Sequence, residues 1–215
     1  MVKLDILSDP VCPWCYLGKT ALDRALEAHP DHPFEIEWHP FRLNPDMPDQ
    51  GMDRRTYLEM KFGDTASILK VHEPMIERAE ALGLPLNLSA IKRSPATLNA
   101  HRLIHWAGLE GRQTAAVSAL FKAYFQQGRD IGQIEELLDI AEQIEMDREM
   151  TQRLFDSDAD VEDIRARDAN ARAKGVTGVP TFIIASQHAV SGAQPVELWN
   201  EVIKDLLEQS KDTTE

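Results

Sequence analysis

Cys12-Pro13-Trp14-Cys15 decides the fold that we expect of this chain, and its two cysteines are the only ones in the sequence. Residues 3–7 form a short, mainly apolar stretch before this motif, and apolar residues at helical spacing follow it over residues 17–26. This order predicts a strand, a tight turn and a helix start. The free N–H groups and the dipole at a helix start favour a cysteine thiolate. The sequence therefore indicates a redox dithiol, with Cys12 as nucleophile and Cys15 as resolving thiol.

Two other roles for the cysteine pair remain open from the residues alone. A structural disulfide is one, although closing so short a loop would add little stability. Half of a zinc site is the other, but zinc usually takes four ligands. The sequence has no second cysteine pair, and His101/His105 is its only histidine pair at i,i+4 spacing. We therefore favour redox chemistry and predict no metal site.

Length, charge and hydropathy narrow the choice of partners and compartment. The 215 residues carry a formal net charge of −13, which disfavours nucleic acids and anionic membranes as partners. No apolar run approaches the roughly 18 residues of a membrane-spanning helix. The first residues, 1–5, lack the apolar segment of a signal peptide. We expect a cytoplasmic protein, in a compartment where a lone cysteine pair is more often catalytic than structural.

The periodicity of the chain predicts a β-α-β unit, a long helical region and a final β-β-α unit. Strand 3–8, helix 13–28 and strand 34–39 should form a parallel, right-handed unit. Residues 176–185 and 189–191 are predicted to pair as an antiparallel hairpin. The last helix is predicted over 196–207, followed by a frayed tail after residue 209.

Helices are predicted in the long region between these units. Their expected ranges are 57–62, 68–82, 97–108, 112–127, 133–144, 147–156 and 160–174. Pro74 should kink or divide the second of them. Ser94 and Pro95 have the residue types of an N-cap and a first helical position, so we expect them to begin the third.

Five stretches of the chain, taken together, resemble one known family. They are residues 8–18, 38–45, 100–103, 178–182 and 191–195. The chain resembles the DsbA-like thioredoxin-fold family, and more closely its FrnE-like branch, which is related to 2-hydroxychromene-2-carboxylate isomerases and kappa-class glutathione transferases. This resemblance implies an α/β, thioredoxin-like fold (βαβ…ββα) with a large α-helical insertion. The thioredoxin-like domain would comprise residues 1–45 and 176–215, and the insertion residues 46–175.

The resemblance also assigns roles near the cysteines. It implies that Pro180 is a cis-proline facing them, which would turn the backbone of Val179 toward Cys12 to pair with an extended substrate. A trans-proline at a strand start fits the residues alone equally well. Pro13 and Trp14 would tune the Cys12 thiolate and contact the substrate, although packing of Trp14 against the insertion is an equal alternative.

The two cysteines favour one of the activities known among the proteins that this chain resembles. The isomerase and transferase relatives carry a serine at the position of Cys12, so the dithiol favours disulfide exchange. We predict a cytosolic thiol:disulfide oxidoreductase or isomerase that acts on protein or small-molecule disulfides. It would need no cofactor besides the Cys12–Cys15 pair. We include glutathione as an optional co-substrate and a homodimer as an optional assembly. The alternatives are a glutathione-dependent isomerase or transferase, and a non-enzymatic binding module with inert cysteines.

We expect mainly structural roles for several other side chains, among them histidines and methionines. Asp9 either disfavours the Cys12 thiolate or caps the turn before it. His101 and His105 are expected to be satisfied polar or core histidines. Turn formation or packing is expected for His39, Phe41, Asn44, Met47, Met52, Met60 and Met75, with the first three as weaker candidates to line the groove.

Overall fold

The computed structural model describes residues 1–212, and their side chains through residue 209. Its N-terminal part is the predicted β-α-β unit. Strand β1 (Val2–Ser8) pairs in parallel with β2 (Phe34–Pro40) along its whole length, and helix α1 (Pro13–Ala28) connects them. Pro13 fits the first turn of α1 because an N–H at that position would have no helical partner.

The insertion is helical, as predicted, apart from one short strand pair. Its helices are α2 (Arg54–Phe62), α3 (Thr65–Ala81), α4 (Leu98–Leu109), α5 (Gln113–Phe125), α6 (Ile134–Gln143), α7 (Arg148–Phe155) and α8 (Val161–Ala173). Two-residue strands β3 (Met52–Asp53) and β4 (Arg93–Ser94) pair antiparallel before α4.

The C-terminal part completes the sheet. Strand β5 (Thr181–Ile184) runs antiparallel to β1, and β6 (His188–Ser191) forms the predicted hairpin with it, which gives the strand order β2-β1-β5-β6. Helix α9 (Val196–Asp212) packs beside α1. Its Trp199 is fully buried against Phe182 of β5, with ring centroids 4.7 Å apart.

The predicted start of the third strand was wrong by five residues. The chain between α8 and β5 satisfies its backbone locally, because the Val176 N–H donates to Ala171 and the Thr181 hydroxyl donates to the Gly178 carbonyl. Pro180 has no N–H to give to a sheet. Pairing with β1 therefore begins only at Thr181, opposite Leu7.

Three smaller predictions were also wrong, and a fourth was wrong in one of its two alternatives. Ser94 lies in β4 opposite Met52, and α4 begins three residues later than the expected start at Pro95, after Thr97. Of the two outcomes expected at Pro74, a kink or a division, the division does not occur, since α3 runs through this residue. Met60 is 73% exposed and is not a packing residue. The tail predicted to fray after residue 209 stays helical to residue 212, and residues 213–215 lie outside the described residues.

Aromatic packing joins α1 to the insertion. Tyr16, next to Cys15, stacks on Phe121 and Phe125 of α5, with ring centroids 5.0 and 5.7 Å away. The hydrophobic core is therefore continuous from the sheet into the insertion. Within residues 1–212, no helix combines the length and the apolar character needed to cross a bilayer.

A side chain from the insertion is also hydrogen-bonded to the free edge of β2. The Trp38 N–H donates to the Gln113 side-chain oxygen at 2.8 Å, and the Gln113 amide nitrogen donates to the Trp38 carbonyl at 3.1 Å. The Trp38 indole donates in addition to Thr114. One glutamine side chain thus bonds this strand edge as a neighbouring strand would.

Candidate active site

The two cysteines lie at the start of α1, where the sequence predicts them. Cys12 is the N-cap residue, and Cys15 falls in the first turn of the helix. The Cys12 N–H donates to the Asp9 carbonyl at 2.9 Å, and the Cys15 N–H donates to the Cys12 carbonyl at 3.1 Å. Both thiols are free, with Cys12 3% and Cys15 1% exposed. The tight turn therefore brings both sulfurs to one end of the helix, as a dithiol requires.

The environment of the Cys15 thiol opposes its ionisation. Burial raises the pKa of Cys15 well above its usual range, and the hydrogen bond and charge of Cys12 raise it further. Hydrogen bonds from the Asp9 backbone and the Ser8 side chain oppose this rise. Cys15 therefore keeps its proton at neutral pH.

The loop before β5 brings two further predicted residues to the cysteines. The Val179–Pro180 peptide is cis, as the family resemblance implied. The Cys12 thiol donates to the Val179 carbonyl across a distance of 3.6 Å. Pro13 and Trp14 are half-buried beside the cysteines, and Trp14 packs against the hydrophobic core. The structure thus gathers all six predicted site residues around one turn.

A cavity of about 690 Å³ adjoins the same loop. It lies between α8 and strands β1, β5 and β6, and Val179, Pro180, Arg167 and Lys174 are among its lining residues. His39, which lies in β2, also lines this cavity. The cysteines do not line this cavity, and it adjoins the predicted site through Val179 and Pro180.

The other two groove candidates have structural positions. Phe41 is 2% exposed and packs in a small core cluster with Leu7. The Asn44 amide donates to the Tyr57 hydroxyl at 2.9 Å, which ties the loop after β2 to α2.

One group of side chains has the composition of a metal site. Asp5, Glu37 and His39 have ligand atoms within 4.8 Å of one another. Lys3 lies 3.1 Å from the Asp5 carboxylate and 2.8 Å from that of Glu37, and Arg167 donates to His39 at 3.1 Å. These cations already compensate the two carboxylates, so we assign no metal to the group.

Gly18 packs against Pro180 of the cis-proline loop, a role that the sequence did not predict. It lies where α1 crosses the cis-proline loop, and a Cβ there would be 3.1 Å from the Pro180 ring and 3.3 Å from Phe182. A helical pattern gives no sign of this approach, because the crossing joins residues more than 160 positions apart.

Gly18→Ala should lower the free energy of unfolding by about 1–2 kcal/mol in urea denaturation. Overpacking costs about 1–3 kcal/mol, and the better helix propensity of alanine returns at most about 1 kcal/mol. Gly178→Ala is the matched control, since a Cβ there meets no atom within 4 Å. It should change stability by no more than about 0.5 kcal/mol. Equal stability of the two variants would contradict the close-approach argument.

The comparisons with known proteins agree with this fold. The family model described as a DSBA-like thioredoxin domain matches residues 3–204. The uncharacterized protein YwbO of Bacillus subtilis is 30% identical over 212 residues, which cover 98% of each chain. The crystal structure of a probable DsbA oxidoreductase from Streptomyces coelicolor is 29% identical, covers 95% of this chain and 89% of that one, and superposes with a TM-score of 0.84.

Two more distant solved structures share the fold. The cytosolic disulfide reductase DsbM of Pseudomonas aeruginosa, solved with glutathione, is 19% identical with a TM-score of 0.68, over 96% of this chain and 99% of that one. A 2-hydroxychromene-2-carboxylate isomerase is 17% identical with a TM-score of 0.73, over 98% of each chain.

The chain is a mixed α/β protein with a thioredoxin-like fold. It belongs to the DsbA-like thioredoxin domain family, whose model spans nearly its whole length. Its structural neighbours include proteins described as disulfide oxidoreductases and as an isomerase.

Proposed function

We propose that the protein is a cytoplasmic thiol:disulfide oxidoreductase that works through the Cys12–Cys15 dithiol. One observation carries the proposal: Cys12 begins α1 with Cys15 beside it and the Val179 carbonyl 3.6 Å from its sulfur. This arrangement supports Cys12 as the nucleophile, Cys15 as the resolving thiol and the Val179 carbonyl, from the loop before β5, as a backbone acceptor next to them. In the cytoplasm, where thiols are mostly reduced, reduction or isomerisation of substrate disulfides is the useful direction.

The proposed reaction has two exchange steps. The Cys12 thiolate attacks one sulfur of a substrate disulfide, which forms a mixed disulfide and releases the other sulfur as a thiolate. The Cys15 thiolate then attacks Cys12, forms the Cys12–Cys15 bond and releases the second substrate sulfur with its electron pair. The two released thiolates take up protons, and the enzyme has passed two electrons to the substrate. Two external thiols then reduce the Cys12–Cys15 disulfide: the first forms a mixed disulfide with Cys12, and the second releases it, so that the two leave joined as a disulfide.

We place the substrate along the cis-proline loop. The backbone of Val179 and the ring of Pro180 would hold an extended segment on one side of Cys12, and Pro13 and Trp14 would contact it on the other. Protein disulfides and small-molecule disulfides both fit this open arrangement. Glutathione is included in the proposal as a co-substrate that regenerates the dithiol.

The test is a redox titration. The protein would be equilibrated in buffers of graded thiol-to-disulfide ratio, and the state of the two cysteines would be read by alkylation and mass. We expect one reversible two-electron transition between about −120 and −270 mV, the range of thiol exchangers. A value near the lower end would indicate a reductase, and one near the upper end an oxidant or isomerase. Absence of a reversible disulfide in this range would contradict the proposal.

A further inference from the structure

Asp9 and His101 form a buried pair beneath the cysteine turn. Asp9 follows β1 and is fully buried, and His101 projects from α4 with 3% exposure. Their facing atoms, Oδ1 of Asp9 and Nε2 of His101, are 3.7 Å apart, too far for a direct hydrogen bond. Neither atom has another hydrogen-bond partner within the described residues. Because an unpartnered buried polar group is costly, such a pair calls for an explanation.

The pair is held in place by its other contacts. The second carboxylate oxygen of Asp9 accepts a 2.7 Å hydrogen bond from the Leu43 N–H. Asp9 therefore anchors the loop after β2, and its side chain does not cap the turn before Cys12. His101 is a core histidine, as one of the two expected alternatives had it, but its Nε2 has no hydrogen-bond partner within the described residues.

His101 and Ser8, the residue before Asp9, line the same small cavity. It has a volume of about 10 Å³, close to the minimum for one water molecule, and its lining includes Ser8, His39 and His101. Ser8 is also hydrogen-bonded to the thiol of Cys15. Ser8 thus adjoins both the buried thiol and the cavity that His101 also lines.

The second exchange step needs an acceptor for the Cys15 proton. In the free dithiol, Cys15 is hydrogen-bonded to Cys12. Once Cys12 has bonded to the substrate, its sulfur is no longer a thiolate and cannot take this proton. Cys15 is 1% exposed, so bulk water cannot take it directly either. Ser8 and the cavity that it lines offer the remaining polar route for this proton.

We propose, resting on the proposed function, that His101 accepts the proton of Cys15 during the resolving step, with Asp9 positioning and stabilising it. The thiol proton passes to the Ser8 hydroxyl, whose own proton passes through one water molecule in the cavity to His101 Nε2. The Cys15 electron pair then forms the bond to Cys12, and the substrate sulfur leaves with the pair of the broken bond. The imidazolium that results lies beside the Asp9 carboxylate.

The other titratable groups around the pair are engaged elsewhere. His39 lines the same cavity, but it is bonded to Asp5 at 2.6 Å and to Arg167 at 3.1 Å. Burial raises the pKa of Tyr124 to about 12, so this residue near Asp9 stays protonated at neutral pH. His101 is thus the open acceptor at the cavity.

Stopped-flow reaction of the reduced protein with Ellman's reagent separates the two steps. Attack by Cys12 releases one coloured thiolate, and resolution by Cys15 releases the second. We expect His101→Gln and Asp9→Asn to slow the second release at least about tenfold, in the lower range of proton-transfer catalysis, and the first less than about twofold. The second release should also become steeper with pH in both variants, because Cys15 must then lose its proton to hydroxide.

His105→Gln is the matched control, one turn further along α4. His105 bonds Arg167 at 3.2 Å and does not line the cavity. It should leave both releases and their pH profiles unchanged. Unchanged second release in His101→Gln or Asp9→Asn, or equal slowing of both releases, would overturn the inference. Loss of the first release in the wild-type protein would instead contradict the proposed function, so the two failures are distinguishable.

Discussion

Cys12→Ser is expected to reduce disulfide exchange to the rate of the uncatalysed reaction, whereas Cys15→Ser is expected to accumulate a mixed disulfide. A serine hydroxyl does not ionise at neutral pH and cannot replace the Cys12 thiolate as nucleophile. In Cys15→Ser the nucleophile remains, but the internal thiol that breaks the substrate bond is gone. The substrate should therefore stay attached to Cys12 until an external thiol arrives.

Reduction of a fluorescent peptide disulfide measures the rate, and intact mass measures the adduct. We expect close to one adduct per chain in Cys15→Ser, and no adduct in Cys12→Ser. The two variants are matched controls for each other, since each removes one sulfur from the same turn and leaves the other. Wild-type exchange rates in both variants would exclude the dithiol as the working group.

Phe121→Ala is expected to lower the free energy of unfolding by about 3–5 kcal/mol. Phe121 is fully buried, and its ring stacks on Tyr16 at 5.0 Å, so truncation leaves a large cavity between α1 and α5. Urea denaturation of the reduced protein measures the change. Leu109→Ala, on the neighbouring helix α4, is the control because Leu109 is 75% exposed. It should cost no more than about 0.5 kcal/mol.

The same variant should loosen the active-site turn. Tyr16 follows Cys15 directly, and without Phe121 its ring loses one of its two stacking partners. We expect Cys15 to react faster with a neutral alkylating reagent in Phe121→Ala than in the wild-type protein. An unchanged alkylation rate together with the expected loss of stability would mean that the stack supports the core without supporting the turn.

Local patterns in the sequence predict the parts of this fold that depend on neighbours along the chain. The apolar run before Cys12 and the helical spacing after it define β1 and α1 because both are governed by residues a few positions apart. The alternation over residues 34–39 locates β2 for the same reason. Val179 and Pro180 required the family resemblance, since a trans-proline fits their local sequence equally well.

The errors arise where distant residues compete with local preference. Ser94 has the character of an N-cap, but pairing with Met52, more than 40 residues earlier, takes it into β4. Asp9 and His101 are 92 positions apart, and only the packing of α4 beneath the turn after β1 brings them together. Neither of these contacts produces a periodic pattern in the sequence.

The glutamine bonded to both backbone groups of Trp38 has a consequence for association between copies of the chain. An exposed strand edge is a template on which another strand can assemble, and proteins commonly protect such edges. Gln113 occupies a donor and an acceptor near the middle of β2. Growth of the sheet across this edge, in a dimer or in an aggregate, would first have to displace that side chain. The insertion therefore protects this strand edge from edge-to-edge polymerisation.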